Sequence, residues 1–197
     1  TGLPITSIDH KIQRQISSRP LIVYFDQPTV PRHKIQRDYL IGQLSNLARR
    51  HPHADVLLKP RTRRTEITLH RTKWHLEDLA HGHDLPTNMA FTHAPVNELL
   101  ARASLVLTVS SSAALEAMAL GIPTGIIADF GIAEHLGNHY FLGSGCFIQL
   151  NDVSLARRLQ LNNNWLKERS GIPFRTNDFL ARLCFALKER EKRQGYI

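Results

Sequence analysis

Residues 110 to 112 are three consecutive serines, and four positions after the last of them Glu116 interrupts an otherwise apolar stretch, "AALEAMAL". Small hydroxyl residues where a strand gives way to a helix let an anion come close to the backbone. The first amides of the helix have no intrahelical acceptor, and the helix dipole adds partial positive charge to them. A carboxylate about one turn further on is at a distance to accept hydrogen bonds from two neighbouring hydroxyls of a ribose. Phosphate at Ser111 and Ser112 and ribose at Glu116 together describe a nucleotide site. A plainer reading has one serine as an N-cap and Glu116 as an ordinary helix former. It accounts for one serine of the three, and both readings stand at this point.

Other side chains of the right type lie in loops that follow strands. "KPRTRR" places Lys59, Arg61, Arg63 and Arg64 together, a set able to neutralise a diphosphate or an acidic acceptor, or simply to be a solvated basic loop. Gln27 and Thr29 follow an earlier apolar run. Asp129 and Glu134 follow a later one, where they could touch sugar hydroxyls; alternatively Asp129 opens a turn with Phe130 and Gly131. The eleven histidines do not assemble a zinc pattern: His135 and His139 have Gly137 between them, no His-Glu-x-x-His is present, and His75, Glu77, Asp78, His81 and His83 read as scattered surface groups. The serines lack the glycines of a hydrolase elbow, and neither a dinucleotide fingerprint nor a P-loop occurs.

These residues need elements to hold them. "LIVYF" (21–25), "DVLLK" (55–59), "NMAFT" (88–92), "LVLTV" (105–109), "TGIIA" (124–128) and "CFIQL" (146–150) are short apolar runs that read as buried strands. Between them, 34–50 has Ile35, Tyr39, Leu40, Leu44 and Leu47 at helical spacing. A short helix is expected over 74–80, one over 95–103 entered through Pro95, and one over 113–120 stopped by Gly121 with Pro123 behind it. Alternation of strand and helix with strands apolar throughout indicates an α/β fold, a doubly wound parallel sheet of Rossmann-like three-layer type. A final helix is expected over 177–193, apolar in its first half and charged at its end.

The chain has 197 residues with 42% hydrophobic content, enough for one domain spanning 1–197. No apolar run approaches a membrane span. The start, Thr1-Gly2-Leu3, has neither an initiator Met nor a signal-peptide layout, and we expect a piece of a longer protein. Cys146 and Cys184 read as reduced thiols of a cytoplasmic protein, peripheral to the inner face of a membrane if it meets one. A formal charge of +8 with pI near 9.9 draws anions. Few aromatics and no basic-aromatic interleaving argue against nucleic acid, so the expected partners are a nucleotide-sugar and an anionic acceptor or membrane surface.

The stretch 98–127, "ELLARASLVLTVSSSAALEAMALGIPTGII", resembles the donor-binding region in the C-terminal domain of GT-B glycosyltransferases and of the related non-hydrolysing nucleotide-sugar 2-epimerases. In those families a strand ends in a Ser- or Gly-rich turn, a helix carries a ribose-binding Glu, and Gly-x-Pro precedes the next strand. The matching positions are Ser110, Ser111 and Ser112, Glu116, and Gly121-Ile122-Pro123. The resemblance implies a nucleotide-sugar donor as substrate with no further cofactor and an N-terminal partner domain of the same protein that carries the catalytic base, and it sets Gln27 and Thr29 where such domains approach the donor phosphates. Lys59, Arg61 and Asp129 are the loop residues whose types suit further donor contacts, and the histidine spacing leaves no metal expected. Glycerophosphotransferases of teichoic-acid type and polysialyltransferase-like enzymes carry a Lys-x-His-Pro-like sequence where this chain has Lys59-Pro60-Arg61-Thr62, and the first loop lacks the usual glycine. Retaining relatives often carry a second Glu eight positions before the ribose carboxylate; here that position is Thr108, which implies an inverting transferase. A 2-epimerase, a glycerophosphotransferase and a non-catalytic sugar-phosphate-binding module are the alternatives.

Overall fold

The computed structural model describes residues 12, 15, 17–63, 73–156 and 159–169 of the chain. Its strands are β1 (Leu21–Phe25), β2 (Asp55–Lys59), β3 (Met89–Phe91), β4 (Leu105–Thr108), β5 (Thr124–Ile127) and β6 (Phe147–Ile148). The helices are α1 (Lys34–Arg50), α2 (Leu76–Ala80), α3 (Val96–Arg102), α4 (Ala113–Ala119) and α5 (Asn163–Arg169), with 3-10 turns at 134–136, 138–141 and 150–152. The strands form one sheet in the order β3-β2-β1-β4-β5-β6, and every pairing is parallel. This is the doubly wound arrangement expected from the sequence.

β1 shows why its sequence is apolar without alternation. Ile22 and Tyr24 pack on one face with Leu40, Ile41 and Leu44 of α1. Leu21, Val23 and Phe25 pack on the other with Leu99 and Leu100 of α3 and Ala113 and Ala117 of α4. Successive side chains of a strand point to opposite faces, so a strand covered on both sides must be apolar at every position. Register then sets the level of the loops: Phe25 pairs with Lys59 on one side and Thr108 on the other. The segments after β1, β2 and β4 therefore leave the sheet at one height, beside the point where strand order reverses between β1 and β4. In open sheets that crevice is where ligands bind.

Several boundaries differ from expectation. The last strand is two residues long, followed by the 3-10 turn at 150–152, and the helix expected from Trp74 begins at Leu76. Pro95 occupies the N-cap position of α3 rather than its first turn. Helix α5 has no counterpart in the sequence reading, and the helix expected over 177–193 lies outside the described residues. The apolar face of α1 is also rotated from the expected one. Ile35 is 78% exposed and Tyr39 41% exposed, whereas Arg37 is fully buried with Leu40, Ile41, Leu44 and Leu47. A charged residue occupies the inner stripe because the loop before α1 supplies enough acceptors to hold it. Among the described residues, no helix is long and apolar enough to cross a membrane.

Candidate functional site

The three level loops enclose a cleft of about 250 Å³. Its walls are Phe25, Asp26 and Gln27 after β1, Lys59, Pro60 and Arg61 after β2, Ser111, Ser112, Ala113 and Glu116 from the β4–α4 turn, and Val96 at the start of α3. Ser112 and Glu116 are four apart and so lie on one side of α4.

The serine turn is fastened from beneath by Thr108. This fully buried residue donates its hydroxyl to the Phe25 carbonyl at 2.8 Å and accepts the Ser111 amide at 3.0 Å, tying the end of β4 to the end of β1. Ser111 Oγ accepts the Ala113 amide at 3.3 Å. Ser112, at the N-cap position, has αR backbone angles and makes no side-chain cap. Side-chain capping thus involves Ser111 and leaves the Ser112 hydroxyl at the cleft wall.

Charge in the cleft is poorly neutralised by the protein itself. Glu116 is half-buried, and loss of hydration raises its carboxyl pKa; among the described residues its carboxylate has no hydrogen-bond or ion-pair partner. Across the cleft Lys59 is partly buried, which lowers its pKa, and no carboxylate pairs with it or with Arg61 among the described residues. An anion carrying vicinal hydroxyls would meet both needs, its charge going to the cations and its hydroxyls donating to Glu116.

Beneath Gln27 lies a feature that sequence reasoning missed. Arg37 donates to the carbonyls of Pro31 (2.9 Å), Gln27 (2.5 Å) and Pro28 (2.9 Å) and to the Asp26 carboxylate (3.2 and 3.4 Å). One guanidinium therefore fixes the course of residues 26–31, which include a cis Val30–Pro31 peptide. Asp26 also accepts from the Tyr24 hydroxyl at 3.3 Å. Burial dominates its titration and raises its pKa to about 6, against the opposing pull of Arg37. The available signal was the position of Arg37 three and four residues before Leu40 and Ile41, on the same helical stripe.

Of the residues singled out in the sequence, Gln27, Lys59, Arg61, Ser111, Ser112 and Glu116 line this cleft. Ser110, Thr29 and Asp129 do not. Ser110 packs against Gly137, whose φ is +71° and where a Cβ would come within 3.3 Å of the serine side chain. Thr29 lines a separate cavity on the other side of the β1–α1 loop. Asp129 accepts the Tyr39 hydroxyl at 2.9 Å and the Leu150 amide at 3.0 Å, so its carboxylate ties the end of β5 to α1 and to the segment after β6, while the turn at Gly131 is closed by the Ala128 carbonyl. His93 Nε2 and Glu77 Oε1 are 2.8 Å apart and join α2 to the segment after β3. Among the described residues no group of three or more His, Cys, Asp or Glu is placed to hold a metal.

Comparison with known proteins places this fold. The chain is similar to TarM, with 16% identity and a TM-score of 0.52 over 88% of this chain and 36% of that one. It is also similar to the UDP-GlcNAc 2-epimerase of Methanocaldococcus jannaschii, with 12% identity and a TM-score of 0.51 over 86% of this chain and 46% of that one. At such identities the likeness is one of fold, and the chain spans less than half the length of each. No curated protein matches the sequence. A family described as "Putative glycosyltransferase (DUF6716)" matches residues 1–184.

Proposed function

The chain belongs to the DUF6716 family, and from that premise we propose that it is the nucleotide-sugar-binding half of a GT-B-type glycosyltransferase. The observation that carries the reading is a set of unsatisfied groups lining one cleft: among the described residues the half-buried Glu116 carboxylate has no partner and Lys59 and Arg61 have no carboxylate, at the reversal point of a parallel sheet. In this reading the donor phosphates rest against Ser111 and Ser112 and the two cations, and the ribose hydroxyls donate to Glu116. Gln27, held by the Arg37 platform, closes the phosphate end.

The reaction we infer is inverting transfer. A base takes the proton of an acceptor hydroxyl, which attacks the anomeric carbon in line as the bond to the nucleotide phosphate breaks. Amides and cations in the cleft take up the negative charge that builds on the leaving phosphate. Thr108 supports this choice over retention, because its position offers a buried hydroxyl already committed to Phe25 and Ser111 and no carboxylate. The base is assigned to a partner domain N-terminal to this one.

Thermal-shift titration with CMP, CDP, UDP, GDP and glucosamine 6-phosphate tests the reading on the wild type and on Glu116→Ala. A ligand at about a hundred times its Kd adds roughly 2.7 kcal/mol, which raises Tm by roughly 5–10 °C at this size. Stabilisation by a nucleotide that is lost in Glu116→Ala supports the proposal. A response to glucosamine 6-phosphate alone would replace it with a sugar-phosphate-binding module.

A further inference from the structure

On the far side of the β1–α1 loop from the nucleotide cleft lies a cavity of about 1030 Å³, some four times the volume of that cleft. The two share a wall: Asp26 and Gln27 face the smaller space, while Pro28, Val30 and Arg32 face the larger. The lining of the larger cavity has two parts of different chemistry. Val30, Leu136 and Trp74 make an apolar surface, and Arg32 and Lys73 carry positive charge at its exposed margin. Lys73 Nζ stands 5.1 Å from the centre of the Trp74 ring. None of the described lining residues is a carboxylate, and among the described residues none pairs with Arg32 or Lys73.

We propose that this cavity binds an acidic saccharide, a glycan bearing carboxylates or phosphates, as the acceptor of the transfer. The proposal rests on the donor-binding reading above. A sugar ring presents C–H faces that pack on an indole, and hydroxyls that Thr29 and Gln36 can bond; its acidic substituents would pair with the two cations. A plain polyanion would have no use for the apolar part, and a neutral glycan none for the charged margin. The volume is at the upper end of the range for a small-molecule pocket, room for more than one sugar ring. Because Arg37 holds the shared wall rigidly, an acceptor seated here has a fixed relation to the donor cleft.

Calorimetric titration of the 197-residue chain with tetragalacturonate, maltotetraose and tetrathymidylate tests this, repeated on Arg32→Ala/Lys73→Ala and in the presence of the stabilising nucleotide. Expected are binding of the acidic sugar about tenfold or more tighter than of the neutral one, weakening with salt, and a loss of about tenfold in the double variant. The nucleotide response of the variant stays as in the wild type, and the acidic sugar still binds beside the nucleotide. Equal binding of maltotetraose or tetrathymidylate, an unchanged double variant, displacement of the sugar by the nucleotide, or no binding of tetragalacturonate up to ~10 mM would each overturn the proposal. Binding of the acidic sugar with no nucleotide response at all would instead remove the donor assignment and leave an acidic-saccharide site.

Discussion

Replacing Asp26 by Asn separates the two forces that act on the floor of the cleft. The carboxylate is 6% exposed, with Arg37 Nη1 3.2 Å from one oxygen and the Tyr24 hydroxyl 3.3 Å from the other. Loss of hydration favours the neutral acid, the guanidinium and hydroxyl favour the anion, and hydration wins, raising the pKa to about 6. The unfolded chain titrates Asp near 3.9. The folded state therefore holds this proton more tightly than the unfolded state does. The contribution of Asp26 to stability is full below about pH 4 and is lost as pH rises through about 6. The gap between the two values amounts to about 3 kcal/mol. Asparagine keeps the shape and does not titrate. Between about pH 4 and pH 7.5 the stability difference should move by about 3 kcal/mol in favour of Asp26→Asn, roughly 6–12 °C in Tm for a chain of this size. Urea unfolding followed by circular dichroism across that range measures it. A difference that stays flat, or that moves toward the wild type as pH rises, would mean that the ion pair with Arg37 outweighs the loss of hydration and would refute the reasoning.

Three further outcomes follow from the same contacts. Arg37→Met leaves Asp26 buried without its cation and three carbonyls without their donor, and should cost about 3–5 kcal/mol at neutral pH; adding Asp26→Asn should restore part of the loss in the same urea experiment. Thr108→Val keeps the volume but orphans the Phe25 carbonyl and the Ser111 amide, a cost of about 1–3 kcal/mol, with faster hydrogen exchange at Ser111 as the local reporter. Glu116→Gln acts in opposite directions on stability and on binding. Burial raises the folded pKa of Glu116, so its contribution to stability is full at low pH and is lost as pH rises through the folded value; the variant should gain on the wild type over that interval while its nucleotide-induced thermal shift shrinks.

Much of this molecule is legible from local pattern. β1, β2, β4 and β5 lie within their apolar runs, and α4 starts where the serines end, because a strand covered on both faces and a helix stopped by glycine leave marks within a few residues of themselves. Glu116 and Ser112 fall on one side of their helix for the same reason. Long-range partners leave no such marks. Ile35 and Tyr39 have the right spacing for the inner face of α1, yet Arg37 occupies it, since the acceptors that make a buried guanidinium tolerable come from residues 26–31, six to eleven positions away along the chain.

What the amino-acid sequence determined alone is the alternation of strand and helix and a serine turn with a carboxylate one turn on, because helical and extended periodicities are properties of adjacent residues. Only the tertiary structure decided which of the chemically suitable side chains meet. Parallel register brought Lys59 and Thr108 level with Phe25. Ser110 was turned onto Gly137, and Asp129 was committed to Tyr39 and Leu150. Those outcomes depend on how crossover connections stack distant segments, and a side chain in a loop carries no record of the neighbour it will find there.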